Sequence, residues 1–126
     1  MKYKINEIFY SLQGEGFWTG TPMVFVRFSG CNLRCPFCDT LHSAFTEISA
    51  DEILSAVRAE GGECRRICLT GGEPSLQLDG PLVRLLKAEG YVLHVETNGT
   101  RELPEGLDWI TLSPKSAVVL QRADEL

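Results

Sequence analysis

Nothing in this 126-residue sequence approaches the roughly 18 consecutive apolar residues that a membrane-spanning helix needs. The opening run Met1-Lys2-Tyr3-Lys4-Ile5-Asn6-Glu7 has no apolar signal region either. Basic charge is in deficit: 12 Lys and Arg stand against 17 Asp and Glu, a net charge of −5, which argues against a nucleic-acid-coating surface. Internal repeats, low-complexity tracts and linkers are missing. Together these absences predict a cytoplasmic protein with no membrane and no direct nucleic-acid partner, organised as one domain over 1–126. At 44% apolar and 23% charged residues the chain can build an ordinary core. Its five cysteines do not read as a disulfide framework in that compartment.

The elements alternate. Lys4–Tyr10 and Pro22–Phe28 read as strands, the second alternating and rich in β-formers. A helix is predicted near 50–60, with capping-box spacing at Ser49 and Glu52, an apolar stripe of Ile53, Leu54 and Val57, and a stop at Gly61. Arg65–Thr70 is the next strand. A second helix is predicted over Pro81–Glu89, capped by Asp79 and stopped at Gly90. Strands follow at Tyr91–Glu96 and Asp108–Leu112. Strands separated by helix-length patterns predict βαβ units and a parallel α/β sheet. The unusual residues all fall just after strand ends: the loop from Cys31, Gly71-Gly72-Glu73-Pro74, Glu96-Thr97-Asn98-Gly99 and Ser113-Pro114-Lys115. That rim is where parallel α/β folds and barrels build their sites.

Three cysteines, Cys31, Cys35 and Cys38, are spaced Cys-x3-Cys-x2-Cys with no fourth nearby. Three thiolates on one short loop suit a cubane iron–sulfur cluster whose fourth iron is left for a small molecule. The alternatives are a closed zinc site completed by Cys64 or His42, and plain packing. Cys68, inside Ile67-Cys68-Leu69, reads as a buried thiol. His94 shares the face of Glu96 and reads as core packing.

The triad, with Phe37 before its last cysteine, resembles the radical S-adenosylmethionine (SAM) superfamily, and Gly71-Gly72-Glu73-Pro74 resembles that superfamily's second motif. The resemblance implies a partial TIM-barrel-like core. It implies a [4Fe-4S] cluster on Cys31, Cys35 and Cys38, with SAM chelating the open iron. The glycine loop's backbone would hold the SAM amino group.

Further motifs narrow it. Glu7 to Gly16, Phe25 to Gly30, Cys38-Asp39-Thr40, Glu96 to Thr100 and Ser113-Pro114-Lys115 together resemble the 7-carboxy-7-deazaguanine synthases of the queuosine route. These convert 6-carboxytetrahydropterin to 7-carboxy-7-deazaguanine and ammonia. Carried over, Leu12, Gln13, Gly14, Glu15 and Thr70 would meet the pterin. Arg27 would pair with its carboxylate, a task suited to a guanidinium fork; the alternative for Arg27 is a surface ion pair. Phe37, Cys38, Asp39, Gly72, Glu96, Ser113, Pro114 and Lys115 would contact SAM. Thr40 would bind Mg²⁺, which accepts a single protein oxygen when water and substrate supply the rest. Arg27 and Thr40 would thus act directly on the reacting substrate.

The resemblance also implies a homodimer, SAM that is regenerated, and an electron donor such as flavodoxin or ferredoxin. Two rival readings are a glycyl-radical-enzyme activator and a non-catalytic metal-binding module. The family pattern usually runs to about six βα units, so the chain reads as truncated at its C-terminus, with an exposed parallel sheet edge.

Overall fold

A computed structural model describes residues 2–30, 45–113 and 123–125. Six strands form one sheet: β1 (Lys2–Leu12), β2 (Pro22–Phe28), β3 (Thr46–Ser49), β4 (Arg66–Gly71), β5 (Val92–Thr97) and β6 (Trp109–Leu112). Helix α1 (Ala50–Gly61) precedes β4 and α2 (Gly80–Ala88) precedes β5, with a 3-10 turn at Pro74–Leu76. The sheet order is β3-β1-β2-β4-β5-β6. Pairs β2–β4, β4–β5 and β5–β6 are parallel.

The sheet is therefore mixed rather than wholly parallel, because β1 pairs antiparallel with both β2 and β3. The reason is chain length. Only residues 13–21 join β1 to β2, fewer than the dozen or more that a parallel crossover needs. β3 is an element that the sequence pattern did not reveal, and β1 begins two residues earlier and ends two later than expected. No helix lies between β5 and β6 among the described residues.

The helices form where the sequence places them, for local reasons. Ser49 Oγ accepts the Glu52 amide while Glu52 Oε1 accepts the Ser49 amide, closing the capping box of α1. Gly62, at φ +56°, ends it. Asp79 Oδ1 caps α2 by accepting the Leu82 amide at 3.1 Å, and also accepts the Tyr3 hydroxyl at 2.7 Å. One carboxylate thus joins the start of α2 to β1.

Strand alternation sorts side chains onto two faces. Val24, Val26, Ile67, Leu69, Leu93 and Val95 turn toward the helices. There they pack with Ile53, Leu54 and Val57 of α1 and Leu82, Val83 and Leu86 of α2. Each fully buried aliphatic side chain contributes about 1.5–3 kcal/mol against exposure. The opposite face carries a smaller layer of Met23, Phe25 and Cys68, flanked by Phe9 and Trp18.

The expected exposed edge is largely occupied at β6. Asp124 and Glu125 both donate their amides to the Ile110 carbonyl, and Leu112 donates to the Glu125 carbonyl at 2.8 Å. The Ile110 amide donates to Asp124 Oδ2 at 2.7 Å. An extended segment that supplies its own donors and acceptors satisfies edge groups that would otherwise seek another chain. Among the described residues no helix is long and apolar enough to cross a membrane.

Candidate active site

The face of the sheet turned away from the helices is polar toward the C-terminal ends of its parallel strands. A cavity of about 260 Å³ lies there. Its lining includes Leu12, Gln13, Gly14, Glu15, Arg27 and Thr70, all six residues expected at the pterin. Glu96 and the rings of Phe9 and Phe25 complete the wall. Those residues come from β1 and its following loop, β2, β4 and β5.

Arg27 crosses the mouth of this cavity. Its guanidinium lies 5.3 Å from the Phe9 ring centroid and 3.7 Å from Glu7 Oε1. The two ion-pair side chains are 39% and 54% exposed, so the pair is worth at most about 1 kcal/mol and yields cheaply to a better anion. The surface ion pair and the cavity wall, posed as alternatives by the sequence, coexist.

Glu96 is the junction of the site. Thr70 Oγ1 donates to its Oε1 at 3.0 Å, and Gln13 Nε2 donates to its Oε2 at 3.2 Å. Gln13 is buried and its backbone anchors the 13–21 loop, through its amide on the Thr21 carbonyl and its carbonyl under the Gly20 amide. Beneath them Cys68 is fully buried, with Gln13 Nε2 3.8 Å from its sulfur. Burial, and then the Glu96 charge, push the Cys68 thiol well above its ordinary range.

A second cavity, about 100 Å³, shares Gln13, Glu15 and Glu96 as its wall and adds Ser113, Thr111 and His94. Of the residues expected at SAM, Glu96 and Ser113 meet here. His94 is buried, as expected, but in this polar and aromatic layer rather than the aliphatic core. Trp18 meets it edge-on at 5.3 Å and Arg66 Nη1 lies 3.0 Å from Nε2. Burial, reinforced by the Arg66 charge, holds its pKa down to about 4, so the imidazole is neutral at physiological pH.

The Gly71-Gly72-Glu73-Pro74 loop sits on the same rim. A Cβ at Gly72 would lie 2.1 Å from the Gly30 carbonyl oxygen, and one at Gly71 2.2 Å from that of Phe28. The glycines thus admit a neighbouring backbone as well as any ligand. The Gly72 amide donates to Phe28 O at 2.9 Å and the Glu73 amide to Gly30 O at 2.7 Å. Gly30 immediately precedes Cys31, so the entrance to the cysteine loop is bonded to the glycine loop. Cys31, Cys35, Phe37, Cys38, Asp39, Thr40, Pro114 and Lys115 lie outside the described residues. The donor set of three thiolates, opening against this loop, fits an iron–sulfur cluster with one free iron.

Sequence reasoning missed the Glu73 side chain. It is 1% exposed and accepts hydrogen bonds from Ser75, Thr97 and Asn98. A serine two residues after a loop carboxylate was the available signal. The aromatic pair Trp18 and Trp109 beside the second cavity had no sequence signal.

A family model, that of the Radical SAM superfamily, matches residues 25–118. A 7-carboxy-7-deazaguanine synthase of Bacteroides thetaiotaomicron is 56% identical over 128 residues, spanning all of this chain and 69% of that protein. One from Nitratidesulfovibrio vulgaris is 44% identical, spanning all of this chain and 70% of that protein. The chain belongs to the 7-carboxy-7-deazaguanine synthase family, within the radical SAM superfamily. A solved structure agrees: the crystal structure of QueE from Escherichia coli superposes with a TM-score of 0.79 at 33% identity. That match covers 94% of this chain and 62% of the solved one. The chain thus spans about two thirds of the length of these family members. Membership decides between the readings that the sequence left open, in favour of the lyase.

Proposed function

We propose that this chain is a radical SAM lyase that converts 6-carboxy-5,6,7,8-tetrahydropterin to 7-carboxy-7-deazaguanine with loss of ammonia, on the route to queuosine. The carrying observation is that all six residues expected at the pterin, from three separate segments, line one cavity. When bound, the cluster and SAM supply hydrogen abstraction by a carbon radical. The chain's own residues bind and orient. Arg27 exchanges Glu7 for the substrate carboxylate. Thr70 and Gln13 turn their hydroxyl and amide from Glu96 toward the pterin's polar edge. Glu96 then faces both ligands, and the Phe9 and Phe25 rings keep water from the reacting carbon.

Cys31, Cys35 and Cys38 hold the cluster in this reading, and Phe37, Cys38, Asp39, Gly72, Glu96, Ser113, Pro114 and Lys115 hold SAM. Thr40 holds Mg²⁺ against the substrate. The protein works in the cytoplasm as a homodimer, reduced by a donor such as flavodoxin or ferredoxin.

The test is anaerobic incubation of the cluster-loaded protein with SAM, reductant, Mg²⁺ and 6-carboxytetrahydropterin. The expected result is one deazapurine and one ammonia per pterin consumed. SAM cleavage without deazapurine would overturn the substrate. Omitting Mg²⁺, or replacing Thr40 by Val, is expected to slow turnover while cluster content stays constant.

A further inference from the structure

Glu73 is a carboxylate with 1% exposure at the ligand-facing rim. Its partners come from two different loops. Oε2 accepts the Ser75 amide at 3.0 Å, the Ser75 hydroxyl at 2.5 Å and the Thr97 hydroxyl at 2.5 Å. Oε1 accepts the Asn98 amide at 2.7 Å. The same residue's backbone amide donates to Gly30 O. One residue therefore ties together the ends of β2, β4 and β5. Among the described residues no cation lies within ion-pair distance of it. A buried carboxylate survives without a counter-ion only where several hydrogen bonds replace its water, and here four donors do so.

The direction of the bonds matters. The carboxylate points into the fold, toward Thr97 and Asn98, so it is not aimed at a ligand on the rim. Its two neighbours are placed differently: Gly72 precedes it, and Glu96 precedes its partner Thr97. We propose that Glu73 is a positioning residue for SAM: it fixes the backbone at Gly72 relative to Gly30 on one side and to the Glu96–Asn98 strand end on the other. This inference rests on the reading that Gly72 and Glu96 bind SAM.

The chemistry makes a discriminating substitution available. Glutamine has the same shape but one of its two ends donates. If its oxygen faces Asn98, its NH2 meets the Ser75 amide; if it is flipped, the NH2 meets the Asn98 amide. Either way one backbone N–H loses its acceptor. Hydrogen bonds to a charged group contribute roughly 1.5–3 kcal/mol, so Glu73→Gln is expected to weaken SAM binding about 10- to 100-fold. Thr97→Val keeps the carboxylate and all backbone donors, and removes one hydroxyl; the expected weakening is about 5- to 10-fold.

The experiment measures SAM affinity of cluster-loaded protein by equilibrium dialysis, and the electron paramagnetic resonance spectrum of the reduced cluster with and without SAM. Iron content and far-ultraviolet circular dichroism of the variants are expected to match the parent, while SAM affinity falls and the SAM-induced spectral change shrinks. If both variants bind SAM within about twofold of the parent, with the full spectral change, Glu73 only holds the fold together and the inference is overturned. If Glu73→Gln does not fold, Thr97→Val alone decides by the same criterion. A parent protein whose cluster shows no response to SAM would overturn the SAM reading itself, and the inference with it.

Discussion

Arg27 and Cys68 illustrate how burial divides labour among single residues. Arg27 keeps its charge half in water, against Glu7 and the Phe9 ring, so it can exchange partners at small cost. Losing a bidentate guanidinium contact to a carboxylate costs a few kcal/mol, so Arg27→Ala is expected to raise KM for the pterin by about 100-fold, with SAM affinity unchanged. Arg27→Lys is expected to recover only part of it, because an ammonium offers no planar fork. Steady-state kinetics with varied pterin check both. Cys68 is the opposite case, sealed beneath Gln13 with its thiol protonated. Mass-spectrometric mapping of brief iodoacetamide treatment at pH 8 is expected to find Cys64 labelled well before Cys68, since the thiolate is the reactive form. Equal labelling would contradict the packing of the cavity floor.

Among the elements, caps and links were more legible than strand direction. Ser49, Glu52, Asp79 and Gly90 occupy the cap and stop positions that their residue types favour, because capping chemistry is local. The antiparallel turn of β1 was readable in principle from the short 13–21 link. β3 was not, since Thr46–Ser49 is only four residues long and is held by pairing with Lys2–Ile5, far away in sequence. Asp79 carries a consequence at this scale. Replacing an N-cap by alanine costs about 1 kcal/mol, and here the Tyr3 hydroxyl is orphaned as well. Asp79→Ala is therefore expected to destabilise by about 2 kcal/mol or more, and by less in a Tyr3→Phe background. Urea denaturation of the four proteins in that cycle measures the coupling; strictly additive losses would show that the Tyr3–Asp79 bond contributes nothing.

The whole molecule has an acid-sensitive side. In the folded chain His94 has its pKa depressed from 6.5 to about 4, and Asp108 has its own lowered. Burial alone would raise Asp108; the Leu93 amide and Lys87 outweigh it. A histidine held neutral stabilises the fold fully above its unfolded pKa. That contribution drains away as pH falls from about 6.5 toward 4, and is worth at most about 3 kcal/mol. Asp108 adds stability that persists above its unfolded value and disappears at still lower pH. The melting temperature is thus expected to be flat near neutrality and to fall between pH 6.5 and 4.5. His94→Gln should flatten that slope.

The rim of the site was legible because its motifs are short, contiguous and rich in cysteine, glycine and proline. The Gln13–Glu96–Thr70 junction was legible only as separate names. That these three share one carboxylate depends on strand register, pairing β2 with β4 and β4 with β5. Glu73 was hidden for a similar reason: its partners Thr97 and Asn98 are brought near only by the parallel sheet.

The chain contains two tryptophans, Trp18 and Trp109, and both line the smaller cavity. Their rings meet edge-to-face at 5.7 Å, and the Phe17 ring stacks on Trp109 at 5.4 Å. No other tryptophan dilutes their signal. Ultraviolet-excited emission from this molecule is accordingly a local optical gauge, one that reports filling of the space beside His94 and Glu96 without any attached dye.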